Sequence, residues 1–205
     1  MISDEMLLGI RKPAQYTGGE WNVSRNDFDK ARVRFALCFP DLYEVGMSNL
    51  GLRIIYGLLN SREGLTCERF FAPNVEFEAL LRSNREEIFS LESRRPLKEF
   101  DIVGFSLAYE LCYTNILNIL ELGNIPFEAS SRDRKFPLII GGGPCSLNPE
   151  PLAGFFDLFV LGEAEEAILE IAETYHKFKE SYVSGKIKKT ELLLELARIE
   201  GVYVP

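Results

Sequence analysis

Short apolar runs alternate with segments of helical periodicity through most of this sequence. Five runs have the length of a strand, residues 33–39, 66–71, 101–107, 137–140 and 158–161, and all but the second are mostly apolar. Such continuous apolar character is typical of strands buried on both faces of a parallel sheet. Leucine and isoleucine recur at helical spacing between these runs, most clearly in residues 48–60 and 111–120. The alternation predicts an α/β domain whose parallel strands are joined by helical crossovers.

Local signals indicate where the helices begin and end. Ser48 is the candidate N-cap of the first helix, and Gly123 closes the third. A short helix is expected at residues 151–155, a long one from Glu163, and a last amphipathic helix over residues 186–199. The predicted fold class is flavodoxin-like or Rossmann-like, with a five-stranded, mainly parallel sheet and helices on both faces.

The predicted α/β domain covers residues 32–182. Residues 1–31 show no sustained period and contain glycine and proline breakers, so we expect an irregular N-terminal arm. Tyr16 and Trp21 are the side chains expected to attach this arm to the main body. Residues 183–205 are expected to form the last helix and a linker toward a further domain.

Composition narrows the class of function. The 205 residues include 31 acidic and 23 basic side chains, and the formal net charge of -8 disfavours direct binding of nucleic acid. No apolar run approaches the roughly 20 residues of a membrane span, and the acidic start differs from a secretory signal. The four cysteines lie far apart without zinc-ligand spacing. We therefore expect reduced thiols in a cytoplasmic protein that has no membrane partner.

Ligand chemistry is expected at the carboxyl ends of the strands, where open parallel sheets bind their ligands. Four loops should meet there: residues 40–49, 106–113, 141–148 and 162–166. The third loop begins with Gly141, Gly142, Gly143 and Pro144, and a loop without Cβ atoms lets a large ligand approach the backbone. The alternative is a tight turn with positive φ, for which one glycine would suffice. The run of three glycines therefore favours a ligand-facing loop.

A second motif follows the first strand, where Asp41, Tyr43 and Gly46 have the spacing D-x-Y-x-x-G. Cobalamin-binding domains of the flavodoxin-like type carry D-x-H-x-x-G here, an S-x-L segment after a later strand and a glycine pair after the next. This sequence resembles that plan, with Ser106 and Leu107 in the second segment. The resemblance implies cobalamin as the cofactor, bound base-off with its nucleotide tail between the loops. A polar turn that caps the next helix is the alternative explanation of Asp41.

Two positions depart from the cobalamin plan. Tyr43 stands where the cobalt-ligating histidine would be, and Ala108 stands where leucine is common. The one histidine of the chain, His176, lies well along the last long helix. A bound corrinoid is therefore expected to have no lower imidazole ligand from this chain.

A closer resemblance extends over almost the whole chain. The N-terminal region of an uncharacterised family of radical SAM proteins is similar to the stretches KPAQYTGGEWN, FPDLYEVGMSNLGLRIIY, FDIVGFSLAYELCYTNILNIL and GGGPCSLNPEPLAGFFDLFVLGEAEE. In that family a barrel with a C-x-x-x-C-x-x-C motif follows this region and holds a [4Fe-4S] cluster and S-adenosylmethionine. This chain has no such motif. The resemblance thus implies that those cofactors and the unknown substrate belong to a barrel in the same polypeptide, which would be the partner of this domain.

Glu163 and Glu110 are two further acidic residues beside the predicted cleft. Gly162 and Glu163 begin a segment that resembles the G-E-x-E run at the end of this domain in many cobalamin-dependent radical SAM enzymes. Ligand contact and a favourable interaction with the helix macrodipole explain this segment equally well. Glu110 lies in a polar and aromatic cluster, where it could face the ligand or the barrel, or cap a helix.

Three functions stay open at this point. The first is an accessory domain that binds cobalamin and is not catalytic by itself, and the second is a docking domain that has lost the cofactor. The third is a flavin or nucleotide-binding module, although the chain lacks a phosphate-binding G-x-x-x-x-G-K-[ST] loop. The candidate cofactor-binding residues are Asp41, Tyr43, Gly46, Ser106, Leu107, Glu110, Gly141, Gly142, Gly143, Pro144, Gly162 and Glu163.

Overall fold

A central β-sheet separates two layers of helices. The computed structural model describes residues 2–21, 23–24 and 26–205, and within them six strands lie in the order β2-β1-β3-β4-β5-β6. These strands are β1 (Val33–Phe39), β2 (Leu65–Phe71), β3 (Ile102–Ser106), β4 (Leu138–Gly142), β5 (Leu158–Val160) and β6 (Val202–Tyr203). Strands β1 to β5 are parallel. The predicted α/β class with a mainly parallel sheet is confirmed.

The sheet has six strands, so the prediction of five was wrong in number. Strand β6 pairs antiparallel with β5, with Phe159 opposite Tyr203 and Val160 opposite Val202. The backbone N–H of Leu161 also donates to the carbonyl of Gly201 at 2.7 Å. A strand of two residues has no periodicity to detect, because only its pairing partner defines it.

Helices cover both faces of the sheet, as expected. They are α1 (Asp4–Leu7), α2 (Tyr43–Ser48), α3 (Leu50–Asn60), α4 (Val75–Asn84), α5 (Tyr113–Leu122), α6 (Ala167–Val183) and α7 (Lys189–Leu196). Helices α4 and α5 bury their apolar residues in one core, and α3, α6 and α7 bury theirs in a second core on the opposite face. The order β2-β1-β3-β4-β5 is that of flavodoxin-like sheets, whose ligand crevice lies at the β1/β3 switch point.

Several helix ends differ from the sequence prediction. Asn49, not Ser48, caps α3, and its Oδ1 accepts a hydrogen bond from the backbone N–H of Leu52 at 2.8 Å. Ser48 instead ends the separate helix α2. The long helix α6 begins at Ala167, after the acidic segment that was expected to open it. Local hydrogen bonds determine the residue at which each helix begins or ends, so the apolar pattern does not predict it.

The N-terminal arm is attached through Tyr16. Its ring stacks on Phe77 with 3.9 Å between centroids, and its hydroxyl accepts a hydrogen bond from the backbone N–H of Asn74 at 3.1 Å. Trp21 has 96% of its surface exposed, so the prediction that it pins the arm was wrong. Among the described residues of the arm, Ile2, Leu7 and Phe28 are the other buried apolar side chains.

A buried ion network anchors the loops that flank β4 and β5. The Asp157 carboxylate accepts from the backbone N–H of Ile139 at 2.7 Å and from the Arg132 guanidinium at 3.3 Å. The Lys189 ammonium contacts the same carboxylate and thereby joins α7 to this network. The side chains of Arg132 and Asp157 are fully buried. Because burial of one unpaired charge is costly, the three groups are expected to hold their positions together.

None of the helices in the described part of the chain has the length and apolar character that crossing a bilayer requires.

Candidate functional site

An apolar cleft of ≈ 240 Å³ lies at the carboxyl ends of β1, β3, β4 and β5. Helices α3 and α6 form its sides, and the strand ends form its floor. Its walls are mostly aliphatic: Leu37, Leu52, Ile55, Ile140, Val160 and Ile168. This volume is just below the range of about 300–1,000 Å³ of pockets for drug-sized ligands, so the cleft suits one compact ring system.

Six of the candidate residues line this cleft together. They come from three different loops, which the parallel sheet brings to one edge: Ser106, Gly141, Gly142, Gly143, Gly162 and Glu163. The convergence of these loops follows from the sheet topology, because the carboxyl ends of parallel strands share one edge.

The three consecutive glycines have different physical roles. A Cβ on Gly141 would lie 2.9 Å from Leu107 and about as close to two phenylalanine rings, so core packing requires glycine there. Gly143 has a φ of 115°, and a Cβ on it would lie 3.1–3.3 Å from the backbone of Leu107. At Gly142 the nearest heavy atom to a Cβ is the Val160 Cβ at 3.8 Å. Gly142 is thus the member of the run that neither packing nor backbone strain explains.

Leu107 and Pro144 adjoin the glycine loop but do not line the cleft. Leu107 is buried, its N–H donates to the Gly142 carbonyl at 2.7 Å, and its own carbonyl accepts from the Cys145 N–H at 3.0 Å. Pro144 opens a short 3-10 helix, Pro144–Leu147, directly after Gly143.

The D-x-Y-x-x-G segment also lies outside the cleft. Asp41 accepts a hydrogen bond from the backbone N–H of its neighbour Leu42 at 2.6 Å. Leu42 is the N-cap residue of α2, and no side-chain hydrogen bond caps this helix. Gly46 lies where a Cβ would be 2.3 Å from the Phe71 ring, which means that α2 can approach the sheet only with glycine at this position. Glu110 is exposed and opens the 3-10 helix Glu110–Cys112.

Tyr43 is directed toward the N-terminal arm. Its hydroxyl donates to Glu20 at 3.0 Å, and its ring meets Phe71 edge-on at 5.4 Å. Burial and the hydrogen bond to Glu20 raise the pKa of Tyr43 to about 12. A phenol with so high a pKa stays protonated at neutral pH and is a poor metal ligand.

No other side chain in the described part of the chain offers a metal site near the cleft. His176 lies against Arg32 and Arg62 in a separate depression formed by α6 and the N-terminal side of the sheet. Cys38, Cys67, Cys112 and Cys145 are free thiols, and the described residues contain no cluster of histidine, cysteine and carboxylates that could hold a metal ion.

Sequence reasoning missed the aliphatic walls and one acidic residue. In the sequence, Leu37, Ile140 and Val160 look like ordinary core residues of buried strands. Glu165 lies at the mouth of the cleft with Glu163. A usable signal was present, since these apolar positions lie within three residues of the carboxyl ends of strands whose loops were already expected to bind a ligand.

Comparison with known proteins agrees with the architecture. The family model described as "Radical SAM proteins, N-terminal" matches residues 51–205. The chain belongs to this radical SAM N-terminal family. It is also 25% identical over 169 residues to an uncharacterized protein of Methanocaldococcus jannaschii, an alignment that covers 82% of this chain and 31% of that protein. The chain therefore spans about a third of the relative's length. No solved structure matches it.

Membership in the radical SAM N-terminal family accounts for those of the long collinear motifs that lie after residue 50. The match begins at Gly51, after the D-x-Y-x-x-G segment, and includes the glycine loop and the GEAEE segment. The expectation of an N-terminal domain of a radical SAM protein is confirmed.

Proposed function

We propose that this chain is an accessory domain of a radical SAM protein and that its cleft holds a flat, mainly apolar group. The observation that carries the proposal is Gly142, which opens the floor of an aliphatic cleft at the switch point of the sheet without any packing need for glycine. Cobalamin bound base-off is the ligand we expect, since its detached benzimidazole base is compact, flat and apolar.

The residues present fit this group only in part. The cleft suits the base, whereas lower ligation of cobalt by the protein does not fit, because Tyr43 bonds to Glu20 and His176 lies elsewhere. The [4Fe-4S] cluster and S-adenosylmethionine are expected in another part of the parent protein. We also expect a cytoplasmic protein, where free thiols such as Cys38 and Cys67 stay reduced.

Titration with hydroxocobalamin tests the proposal. We expect binding with a visible spectrum that changes to the base-off form, and no comparable binding of flavin mononucleotide. Gly142→Val should weaken cobalamin binding at least about tenfold because its methyl groups enter the cleft; this corresponds to about 1.4 kcal/mol. Ser106→Ala is the milder variant and should cost about 0.5–1.5 kcal/mol of binding free energy. Absence of any cobalamin binding by the wild type at millimolar ligand would refute the ligand assignment.

A second candidate function is docking of the rest of the polypeptide onto the carboxyl edge of the sheet. Apolar side chains are exposed on the segments that follow β1, β3 and β4: Leu50 at the start of α3, and Leu111 and Leu147 in short 3-10 helices, with Leu111 90% and Leu147 74% exposed. Exposed apolar groups on adjoining loops are typical of an interaction surface. The expected occupant is the radical SAM segment, since the matched relative is about three times as long as the aligned part.

The docking candidate is tested with the radical SAM segment expressed as a separate chain. Leu111→Glu combined with Leu147→Glu should weaken association of the two chains, whereas Val75→Glu, at the start of α4, is a control at an equally exposed apolar position. Equal association of the wild type and the double variant would remove this candidate.

A further inference from the structure

Two carboxylates at the mouth of the cleft have no cationic partner among the residues that the structure describes. Glu163 and Glu165 line the cleft between β5 and α6. We propose that the two carboxylates select a neutral or cationic flat heterocycle and reject an anionic one of the same size. This inference rests on the proposed function of the cleft. The ligand class is therefore a nitrogen heterocycle whose buried part carries no phosphate or carboxylate.

The lining of the cleft supports this selectivity. Among the described residues that form it, none is lysine, arginine or histidine, and the remaining polar side chain is the neutral Ser106. No hydrogen bond or ion pair within the described part of the chain involves the carboxylates of Glu163 and Glu165. An anion entering this apolar space would give up water without gaining a positive partner, which is unfavourable.

Helix capping does not account for these carboxylates. The N-cap of α6 is Glu166, and no side chain forms a capping hydrogen bond at this end. The macrodipole of a helix is equivalent to roughly half a positive charge at its N-terminus. Half a charge cannot balance two full negative charges, so the mouth of the cleft stays negative. The overall charge of -8 adds to this field.

A matched pair of small ligands tests the inference directly. The probes are 5,6-dimethylbenzimidazole, which is uncharged above its pKa, and benzimidazole-5-carboxylate, which has the same ring system and a negative charge. Binding is followed at pH 7.5 and low salt by the shifts of the Gly142 and Gly143 amide resonances. We expect the uncharged ligand to bind on the order of tenfold more tightly, because each of the two solvent-exposed carboxylates that line the cleft should repel the anionic ligand several-fold.

Charge-removing variants identify the source of the selectivity. In Glu163→Gln combined with Glu165→Gln, the preference for the uncharged ligand should fall to about threefold or less, and added salt should have little further effect. The matched control is Glu173→Gln combined with Glu180→Gln. It changes the net charge by the same amount at two positions of α6, the helix that follows Glu165, but neither position lines the cleft. The control should keep the full preference.

The outcomes separate this inference from the proposed function. If both ligands shift the Gly142 resonance with equal affinity, the cleft binds flat groups but the charge selectivity is wrong. If the control variant loses the preference as fully as the cleft variant does, a general charge effect replaces the inference. If neither ligand binds while the domain stays folded, the proposed function fails and the inference fails with it.

Discussion

The hydroxyl of Tyr43 donates a hydrogen bond to Glu20, with 3.0 Å between the oxygens, and this bond ties the loop after β1 to the N-terminal arm. Cobalamin-binding domains that this sequence resembles have a cobalt-ligating histidine at the position of Tyr43. In this chain the position therefore has a structural role. Glu20 also contacts the buried Arg69 of β2 at 3.3 Å. The arm, the β1 loop and the edge strand β2 are thus connected through one carboxylate.

Tyr43→Phe should lower the free energy of unfolding at pH 7 by about 0.5–1.5 kcal/mol, because a hydrogen bond to a carboxylate is lost. Stability should also depend on alkaline pH. Since the pKa of Tyr43 is raised to about 12, the folded chain holds this proton more tightly than the unfolded chain does, and stability falls as the pH rises from about 10 to 12. Urea unfolding at several pH values should show a smaller fall for Tyr43→Phe. An unchanged fall would mean that this phenol does not contribute.

Gly46→Ala should destabilise the fold by about 1–3 kcal/mol through overpacking, because the new Cβ would lie 2.3 Å from the Phe71 ring. Gly57→Ala is the matched control on an exposed face of α3, where a Cβ has no heavy atom within 4 Å. The control should stabilise by about 0.5–1 kcal/mol because alanine favours the helix. Thermal unfolding followed by circular dichroism measures both. Equal effects of the two variants would contradict the packing role of Gly46.

Gly143→Ala should cost about 1–3 kcal/mol of stability, because its φ of 115° strains any residue with a Cβ. Gly142→Ala should change stability by less than about 0.5 kcal/mol, since the added Cβ has room beside Val160. Chemical denaturation measures the free energy of unfolding of the two variants, which change neighbouring glycines of one loop. A larger loss at Gly142 than at Gly143 would show that the roles of the two positions are reversed.

Tyr182→Phe should raise the free energy of unfolding by about 1 kcal/mol. The Tyr182 hydroxyl is buried and has no hydrogen-bond partner among the described residues, so its removal also removes the cost of burying an unpaired polar group. Tyr16→Phe is the opposite case, because the Tyr16 hydroxyl accepts from the Asn74 N–H, and it should lower stability by about 0.5–1.5 kcal/mol. Urea denaturation of both variants shows whether each change raises or lowers the free energy of unfolding. Destabilisation by Tyr182→Phe would indicate that a bound water satisfies this hydroxyl.

The sequence predicted the sheet well because its five parallel strands are buried on both faces, and burial leaves continuous apolar runs such as Val33–Phe39. It also predicted, on topological grounds, that the loops after the parallel strands meet at one edge of the sheet. Ser106, Gly142 and Glu163 lie together for this reason. The site residues themselves stay predictions until a ligand is tested.

Other features depended on contacts between distant residues. The direction of Tyr43 is set by Glu20 in the arm, and the exposure of Trp21 was not visible in the sequence pattern. The sixth strand exists only because β5 presents an open edge to Val202 and Tyr203. Local sequence therefore determined which segments form strands, because burial leaves apolar runs. It also determined where their loops converge, because the carboxyl ends of parallel strands share one edge. Tertiary structure decided which glycine faces the cleft and which only fits the packing, because that difference depends on atoms such as Leu107 and Val160 from other strands and loops.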